Sequence, residues 1–262
     1  MDWKQNIPLA PHTTVKIGGP AEFYVEVTNY RQFKAVLADL KNEKVTILGN
    51  GSNVLISDSG IKGYVIINST SNIKLLPNNQ IWAESGTQLA HLIDFSLNHG
   101  LVGLETFAYI PSTLGGAIAG NIHGTETLFS TIAKSVEYAN HKQPIILSAI
   151  LQLKPGDTVA ARKISRDIIE KKSINQPMNS LGSIFKNPSP LRPAGLIIDK
   201  ELKLKGLCIG DAKISEKHAN FIENTGHATA TDYYALTKLI QSKAKTELKL
   251  DLELEIKLLG QI

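Results

Sequence analysis

The residues Gly49-Asn50-Gly51-Ser52-Asn53 lie between two apolar runs, Val45-Thr46-Ile47-Leu48 and Val54-Leu55. Glycines at 49 and 51 permit positive φ and leave no Cβ in the way, so consecutive N–H groups can converge on a phosphate, with Ser52 and Asn53 adding side-chain donors. The expected guest is a pyrophosphate. Asn-Gly is also the commonest two-residue hairpin turn, and the pattern alone leaves both readings open. A second stretch, 103–124, is rich in glycine and small residues yet too apolar for a solvated loop. Gly115, Gly116 and Gly120 would let main chain approach a flat ring, while Ser112, Thr113 and Asn121 can bond its edge or a phosphate. A tight crossing of helix and loop is the alternative. Third, Leu181-Gly182-Ser183-Ile184-Phe185-Lys186-Asn187-Pro188 frames a serine with glycine and apolar residues and sets a lysine and an asparagine close behind. Last, Leu252, Leu254, Ile256 and Leu258 alternate with Glu253, Glu255 and Lys257, placing the charged side chains together on one face; pattern alone reads that face as solvent-exposed.

The elements that position these residues interleave strands and helices without a regular βαβ repeat. Helical spacing covers 30–41 through Phe33, Val36 and Leu37, and a strand follows to Leu48. Asn78-Asn79 is a turn between two short extended runs, the second being Gln80-Ile81-Trp82-Ala83. Thr87 is expected to cap a helix through Leu89, Leu92, Ile93 and Leu97 that closes at Gly100. Asp157 caps a charged helix to about Lys172, ended by Asn175-Gln176-Pro177. Pro193 reads as the first position of a short helix to Ile198. A long helix covers about 231–246, and a strand is expected over 252–259.

Composition narrows the class. The chain has 262 residues, 42% hydrophobic and 20% charged, enough for one large or two modest domains. Its single cysteine, Cys208, excludes an internal disulfide framework and a multi-cysteine zinc site and fits a reducing cytoplasm. No stretch is ordered like a signal peptide and no apolar run approaches membrane-spanning length, so a cytoplasmic protein is expected. Net charge is +4, mostly from lysine, since the only arginines are Arg31, Arg162, Arg166 and Arg192. This mild bias suits phosphorylated or carboxylated small molecules, and neither nucleic-acid binding nor a metal site has a supporting constellation.

The segments 45–55, Ile-Pro-Ser-Thr-Leu-Gly-Gly-Ala at 110–117, Gly-Ser-Ile-Phe-Lys-Asn-Pro at 182–188, Ser-Glu-Lys-His-Ala-Asn-Phe at 215–221 and Glu-Ile-Lys-Leu-Leu-Gly at 255–260 occur in this order. Thr13 to Ala21 precedes them. Together they resemble the UDP-N-acetylenolpyruvoylglucosamine reductase family, the flavoenzymes of peptidoglycan precursor synthesis, across nearly the whole chain. Lacking an extra tyrosine-bearing insertion, the chain is similar to the shorter, second type. The resemblance implies an α+β architecture: an FAD-binding domain of the vanillyl-alcohol-oxidase type (PCMH) over 1–154, and a smaller substrate domain over 155–262 whose last strand returns towards the flavin. It implies FAD and NADPH as cofactors and an enolpyruvyl-bearing UDP-amino sugar as substrate. Oligomeric state is left open.

By the same resemblance, Gly49, Asn50, Gly51, Ser52 and Asn53 carry the pyrophosphate, and Ile110, Pro111, Ser112, Thr113, Gly115, Gly116 and Asn121 border the isoalloxazine. Ser183 matches the family's proton donor and Glu255 its catalytic glutamate, a role that requires a carboxyl raised by burial. Asn187 matches a uridine-nucleotide contact; Lys186 beside it could meet a phosphate or be an exposed strand residue. Three departures stand against this. The family's Tyr-Arg-x-Ser segment, whose arginine neutralises the substrate carboxylate, is replaced by the short connection His141-Lys142-Gln143-Pro144. Tyr109 and His123 stand where the family has glycine. His123 or Arg192 is the expected substitute cation, and the rival reading is an FAD-binding paralogue with lost or altered activity that serves a binding or regulatory role.

Overall fold

A computed structural model describes residues 2–125 and 127–262. The chain forms two compact units, the first of 1–4, 24–50 and 63–172 and the second of 5–23, 51–62 and 173–262. The 49–53 segment therefore starts in the first unit and ends in the second.

In the first unit, Val45–Leu48 runs parallel to the 64–67 part of Ile61–Asn68, with Val45 opposite Tyr64 and Leu48 opposite Ile67. This pair belongs to a four-stranded sheet completed by Pro20–Val27 and Lys4–Pro8. Helix Tyr30–Asp39 begins at Asn29, whose side chain accepts the Gln32 N–H at 2.9 Å, and buries Phe33, Val36 and Leu37. Those three side chains share a core with Val25, Val27, Val45, Ile66 and Leu147. The Tyr30 hydroxyl on this helix donates to Glu137 at 2.5 Å. Burial, followed by that bond, pushes its phenol up to about 12.

A second sheet has the order Ile73–Leu76, Gln80–Glu84, Ile146–Gln152, Ala133–Tyr138. Asn78 and Asn79 take φ of 61° and 60°, which makes the first pair a tight hairpin of the kind the dipeptide favours. The connection from Tyr138 to Ile146 is closed by Ala139 N–H on Ile145 O at 2.8 Å. His141 Nε2 donates to Leu40 O at 2.9 Å, and Gln143 Oε1 accepts the Val45 N–H. His141 and Gln143 thus tie this short connection to the scaffold.

Helix Leu89–Asn98 covers the second sheet's core with Leu89, Leu92, Ile93 and Leu97, and the chain turns at Gly100 with φ +74°. Thr87 does not cap it. Gln88 precedes the first turn without a side-chain capping bond, and the Thr87 hydroxyl is buried without a hydrogen-bond partner among the described residues. The reason is a competing pairing: Gly115 N–H bonds Ser85 O, Leu114 N–H bonds Thr87 O, and Leu89 N–H bonds Ser112 O, so backbone recognition of 112–115 continues through the position expected to cap. Helix Thr158–Asn175 does start where expected, with Asp157 Oδ1 accepting the N–H groups of Val159 and Ala160 at 2.9 and 3.1 Å.

The second unit packs Val15, Ile17, Leu55, Ile184, Phe185, Ile197, Ile214, Ile222, Tyr233, Leu236, Ile240 and Ile256 into one core. Its long helix, Ala230–Leu248, is set by a reciprocal capping box between Thr229 and Asp232. Asp58 reinforces this start by accepting the N–H groups of Ala230 and Thr231 and the Thr231 hydroxyl, at 2.7 to 3.0 Å. Burial pushes the Asp58 carboxyl up, but these bonds outweigh it and hold the group below its ordinary value.

Two expectations change in this unit. Pro193 precedes the short helix rather than opening it: it has ψ 149°, the helix spans Ala194–Leu196, and a π turn follows over Ile197–Glu201. The final strand is regular only over Lys257–Leu259. Before it, Leu254 bridges Phe185 antiparallel, and the strand itself pairs in parallel with Val54–Ile56. The segment changes partner at Glu255, which interrupts the ladder while leaving the expected alternation of burial intact, Leu252 and Ile256 being 4% exposed.

Candidate active site

Within the second unit, Gly51 adopts φ +58°, and a Cβ there would overlap the His12 carbonyl oxygen. The Gly51 carbonyl accepts the Thr14 N–H at 3.4 Å, so the loop lies against 12–14 through backbone alone. Among the described residues, the N–H groups of Gly51, Ser52 and Asn53 have no protein acceptor. Three successive free donors, the first at a φ that favours glycine, are a fitting cradle for the diphosphate of a dinucleotide cofactor.

In the first unit, Asn50 forms a reciprocal amide pair with Gln88 at 2.5 and 2.6 Å and donates also to Pro111 O at 3.1 Å. Its side chain therefore fastens the loop containing Ile110 and Pro111. A Cβ on Gly49 would lie 2.5 Å from Thr113 Oγ1, one on Gly115 3.1 Å from Ser85, and one on Gly116 2.7 Å from Ser112 Oγ. Close packing of protein on protein thus accounts for these three glycines. Thr113 accepts the Gly116 N–H at the start of helix Leu114–Gly120, and Ser112 donates to Thr113 O at 3.0 Å. Asn121 takes φ +40°, and its Oδ1 accepts the Ser130 N–H. His123 is exposed, with Nδ1 2.5 Å from Gly124 O, and burial raises the phenol of Tyr109.

The serine and glutamate segments meet within the second unit. Gly182 takes φ +80°, turning the chain so that Ser183 is half-buried while Ile184 and Phe185 enter the core fully. Glu255 N–H donates to Ile184 O at 2.8 Å, and Lys186 N–H to Glu253 O at 2.9 Å, so the residue following Ser183 is bonded directly to Glu255. Asn220, 2% exposed, grips the same stretch from within. Its Oδ1 accepts the Phe185 N–H at 3.0 Å, its amide donates to Phe185 O at 2.8 Å, and its own carbonyl accepts the Ile184 N–H at 2.9 Å. Thr14 Oγ1 donates to Ser180 O at 2.6 Å and steadies the approach to Gly182.

The Ser183 hydroxyl has no protein hydrogen-bond partner among the described residues, which leaves its proton uncommitted. Burial pushes the Glu255 carboxyl above its ordinary value, and the Lys186 ammonium opposes that rise. Glu255 is open to solvent yet has enough protein around it to lose part of its hydration. Lys186 is ion-paired with Glu253, and the Asn187 Oδ1 caps the short helix by accepting the Ala194 N–H at 3.0 Å. Arg192 is not a free cation: its Nε donates to Glu201 Oε1 at 2.9 Å and its Nη2 to the other carboxylate oxygen. Asn220 as a clamp on Phe185, and Asn53 as a partner of Glu255, escaped the residue-type reading of the sequence, which took Asn53 for a phosphate donor. The one signal for the former was an asparagine between Ala219 and Phe221 in an otherwise apolar run.

Comparison with known proteins places these features in a family. Residues 173–259 match the C-terminal domain of UDP-N-acetylenolpyruvoylglucosamine reductase, and 21–141 match an FAD binding domain. The UDP-N-acetylenolpyruvoylglucosamine reductase of Chloroherpeton thalassium is 37% identical over 99% of this chain and 94% of its own length. That of Synechococcus sp. is 36% identical over 97% and 90%. The latter alignment runs over 283 positions against a chain of 262 residues, so the relative contains residues that this chain lacks. A crystal structure of the Thermus caldophilus reductase superposes with a TM-score of 0.82 at 29% identity, covering 99% of this chain and 100% of that one. Among the described residues, no helix is long and apolar enough to cross a membrane and no group of His, Cys, Asp and Glu is arranged to hold a metal ion. With two relatives above one-third identity along almost their full length, a solved fold matched end to end, and the cradle, serine and glutamate all present, the chain belongs to the UDP-N-acetylenolpyruvoylglucosamine reductase family.

Proposed function

We propose that this chain reduces UDP-N-acetylenolpyruvoylglucosamine to UDP-N-acetylmuramate with FAD and NADPH, a step of peptidoglycan precursor synthesis. The observation that carries the reading is the end-to-end likeness to proteins of that name, and the joining of Ser183 to Glu255 through Ile184 agrees with it. Bound FAD would supply hydride transfer from NADPH to the enolpyruvyl double bond. The free N–H groups of Gly51, Ser52 and Asn53 would hold its diphosphate, and residues 110–121 would border its ring. Flavin binding is assigned to 1–154 and substrate binding to 155–262.

The reaction adds a hydride and a proton across a carbon–carbon double bond, and this chain supplies the proton. Negative charge develops on the carbon next to the substrate carboxylate, a base strong enough to take a proton from a hydroxyl at hydrogen-bond range. The uncommitted Ser183 Oγ–H is the donor. Glu255, favoured in its neutral form by burial, donates a hydrogen bond to the substrate carboxylate as it gains enolate character. Lys186 exchanges Glu253 for a substrate oxyanion, and the Asn187 amide N–H groups remain for the nucleotide while its oxygen caps 194. The nicotinamide donor and the lone Cys208 suit the cytoplasm.

The decisive test is anaerobic. The purified, FAD-loaded protein is reduced with NADPH, and the enolpyruvyl nucleotide is then added while flavin absorbance is followed. Stoichiometric reoxidation supports the proposal. Flavin that is reduced by NADPH but stays reduced with the nucleotide would assign the chain to a different acceptor or to a binding role.

A further inference from the structure

The loop that carries the free N–H groups is bonded twice to the chain at Glu255. The Asn53 carbonyl accepts the Lys257 N–H at 2.9 Å, and its side-chain amide donates to the Glu255 carbonyl at 3.2 Å. On its other side Glu255 is held by its own N–H on Ile184 O at 2.8 Å. Both polar groups of the Glu255 main chain are therefore assigned, one to the segment following Ser183 and one to the loop of Gly51, Ser52 and Asn53. Residues 257–259 then continue in parallel register with Val54–Ile56, directly after that loop. A residue expected from sequence to bond phosphate thus has its amide engaged with Glu255.

We infer that Asn53 is a positioning residue that couples occupation of the 51–53 loop by the diphosphate of FAD to the seating of Glu255. This rests on the function proposed above. An anion bonded by successive N–H groups restricts the φ and ψ of those residues, and Gly51, at φ +58°, is the most permissive point of the loop when nothing restrains it. Restraining Gly51 to Asn53 fixes the direction of both Asn53 bonds, and through them the peptide planes on either side of Ile256. The same linkage works in reverse: a seated 255–257 segment presents the loop for the anion.

The test uses the full chain and three proteins: the parent, Asn53→Ala and Asn53→Asp. The aspartate keeps the size and backbone but loses the amide donor. Hydrogen exchange is followed in a peptide covering 254–258, without FAD and at saturating FAD. In the parent, FAD slows exchange there; in both variants this added protection is lost. At saturating FAD, reoxidation by the enolpyruvyl nucleotide slows about ten-fold more than reduction by NADPH does, the effect of removing one ordinary hydrogen bond from a positioned group. The pH profile of reoxidation also shifts, because Glu255 no longer has the same surroundings. Unchanged FAD-dependent protection in both variants overturns the inference, as does weakened FAD binding with protection and reoxidation intact, which would make Asn53 a phosphate ligand only. If FAD binds and couples to exchange as described but Glu255→Gln reoxidises like the parent, the role given to Glu255 falls and the coupling stands. A chain that takes up no FAD defeats both.

Discussion

Replacing Asn220 by alanine removes both side-chain bonds to Phe185 from a site with almost no access to water, Asn220 being 2% and Phe185 0% exposed. The Phe185 N–H and C=O are left without partners. An unsatisfied buried donor or acceptor costs about 1–3 kcal/mol, so the pair should cost roughly 2–6 kcal/mol, at the lower end if water enters the vacated space. Against a typical stability of about 5–15 kcal/mol this is a large fraction. With a urea slope of about 1–3 kcal/mol/M, the unfolding midpoint should fall by roughly 0.7 M or more. Asn220→Asp sharpens the test. It retains the acceptor for the Phe185 N–H but sets a carboxylate oxygen against the Phe185 carbonyl; protonation restores a donor. Its carboxyl would titrate higher in the folded chain than in the unfolded one, so the deficit relative to the parent should shrink as pH falls and be full above the folded value. The measurement is urea unfolding followed by circular dichroism at pH 5 and pH 8, at one fixed FAD concentration because the cofactor stabilises by mass action. An alanine variant within about 0.5 kcal/mol of the parent, or an aspartate variant equally impaired at both pH values, would refute the assignment of Asn220 as a clamp.

Ser183→Ala should leave FAD content and NADPH reduction nearly intact while slowing substrate-dependent reoxidation about 10² to 10⁴-fold, measured by stopped-flow absorbance; equal reoxidation would make the serine structural. Gly51→Val should abolish flavin retention in gel filtration, since the site combines φ +58° with a Cβ overlapping His12, and a yellow valine variant would contradict that geometry. Because burial raises the Glu255 carboxyl and Lys186 opposes the rise, reoxidation should decline as pH increases through the Glu255 value, and Lys186→Ala should move that decline to higher pH; a shift to lower pH would reverse the sign of the argument. Glu255→Gln should slow reoxidation without lowering thermal stability, because a neutral side chain escapes the desolvation that penalises the carboxylate.

The sequence was legible wherever a local signal decides the outcome. Asn78-Asn79 makes a hairpin because two successive positive-φ residues admit few other shapes, Asp157 caps its helix through neighbours two and three residues ahead, and the short 140–144 connection has no room for a longer excursion. Ordered motifs likewise sufficed for the family. Thr87 misled because a capping residue competes for backbone donors, and here the donors of 112–115 arrive from elsewhere and extend the chain past it. What tertiary structure alone decided is where the amide side chains direct their bonds. Asn50 turned to Gln88 and Pro111, Asn53 to Glu255 across 202 residues, Asn187 to a helix start, and Asn220 to Phe185 across 35 residues. The change of partner at Glu255 belongs to the same class. Hydrophobic periodicity records which face of a segment leaves water, and glycine records where the backbone must bend, so both are written locally. A hydrogen bond is satisfied by whichever complementary group the packed core brings within about 3 Å, and that choice is made only when distant segments meet.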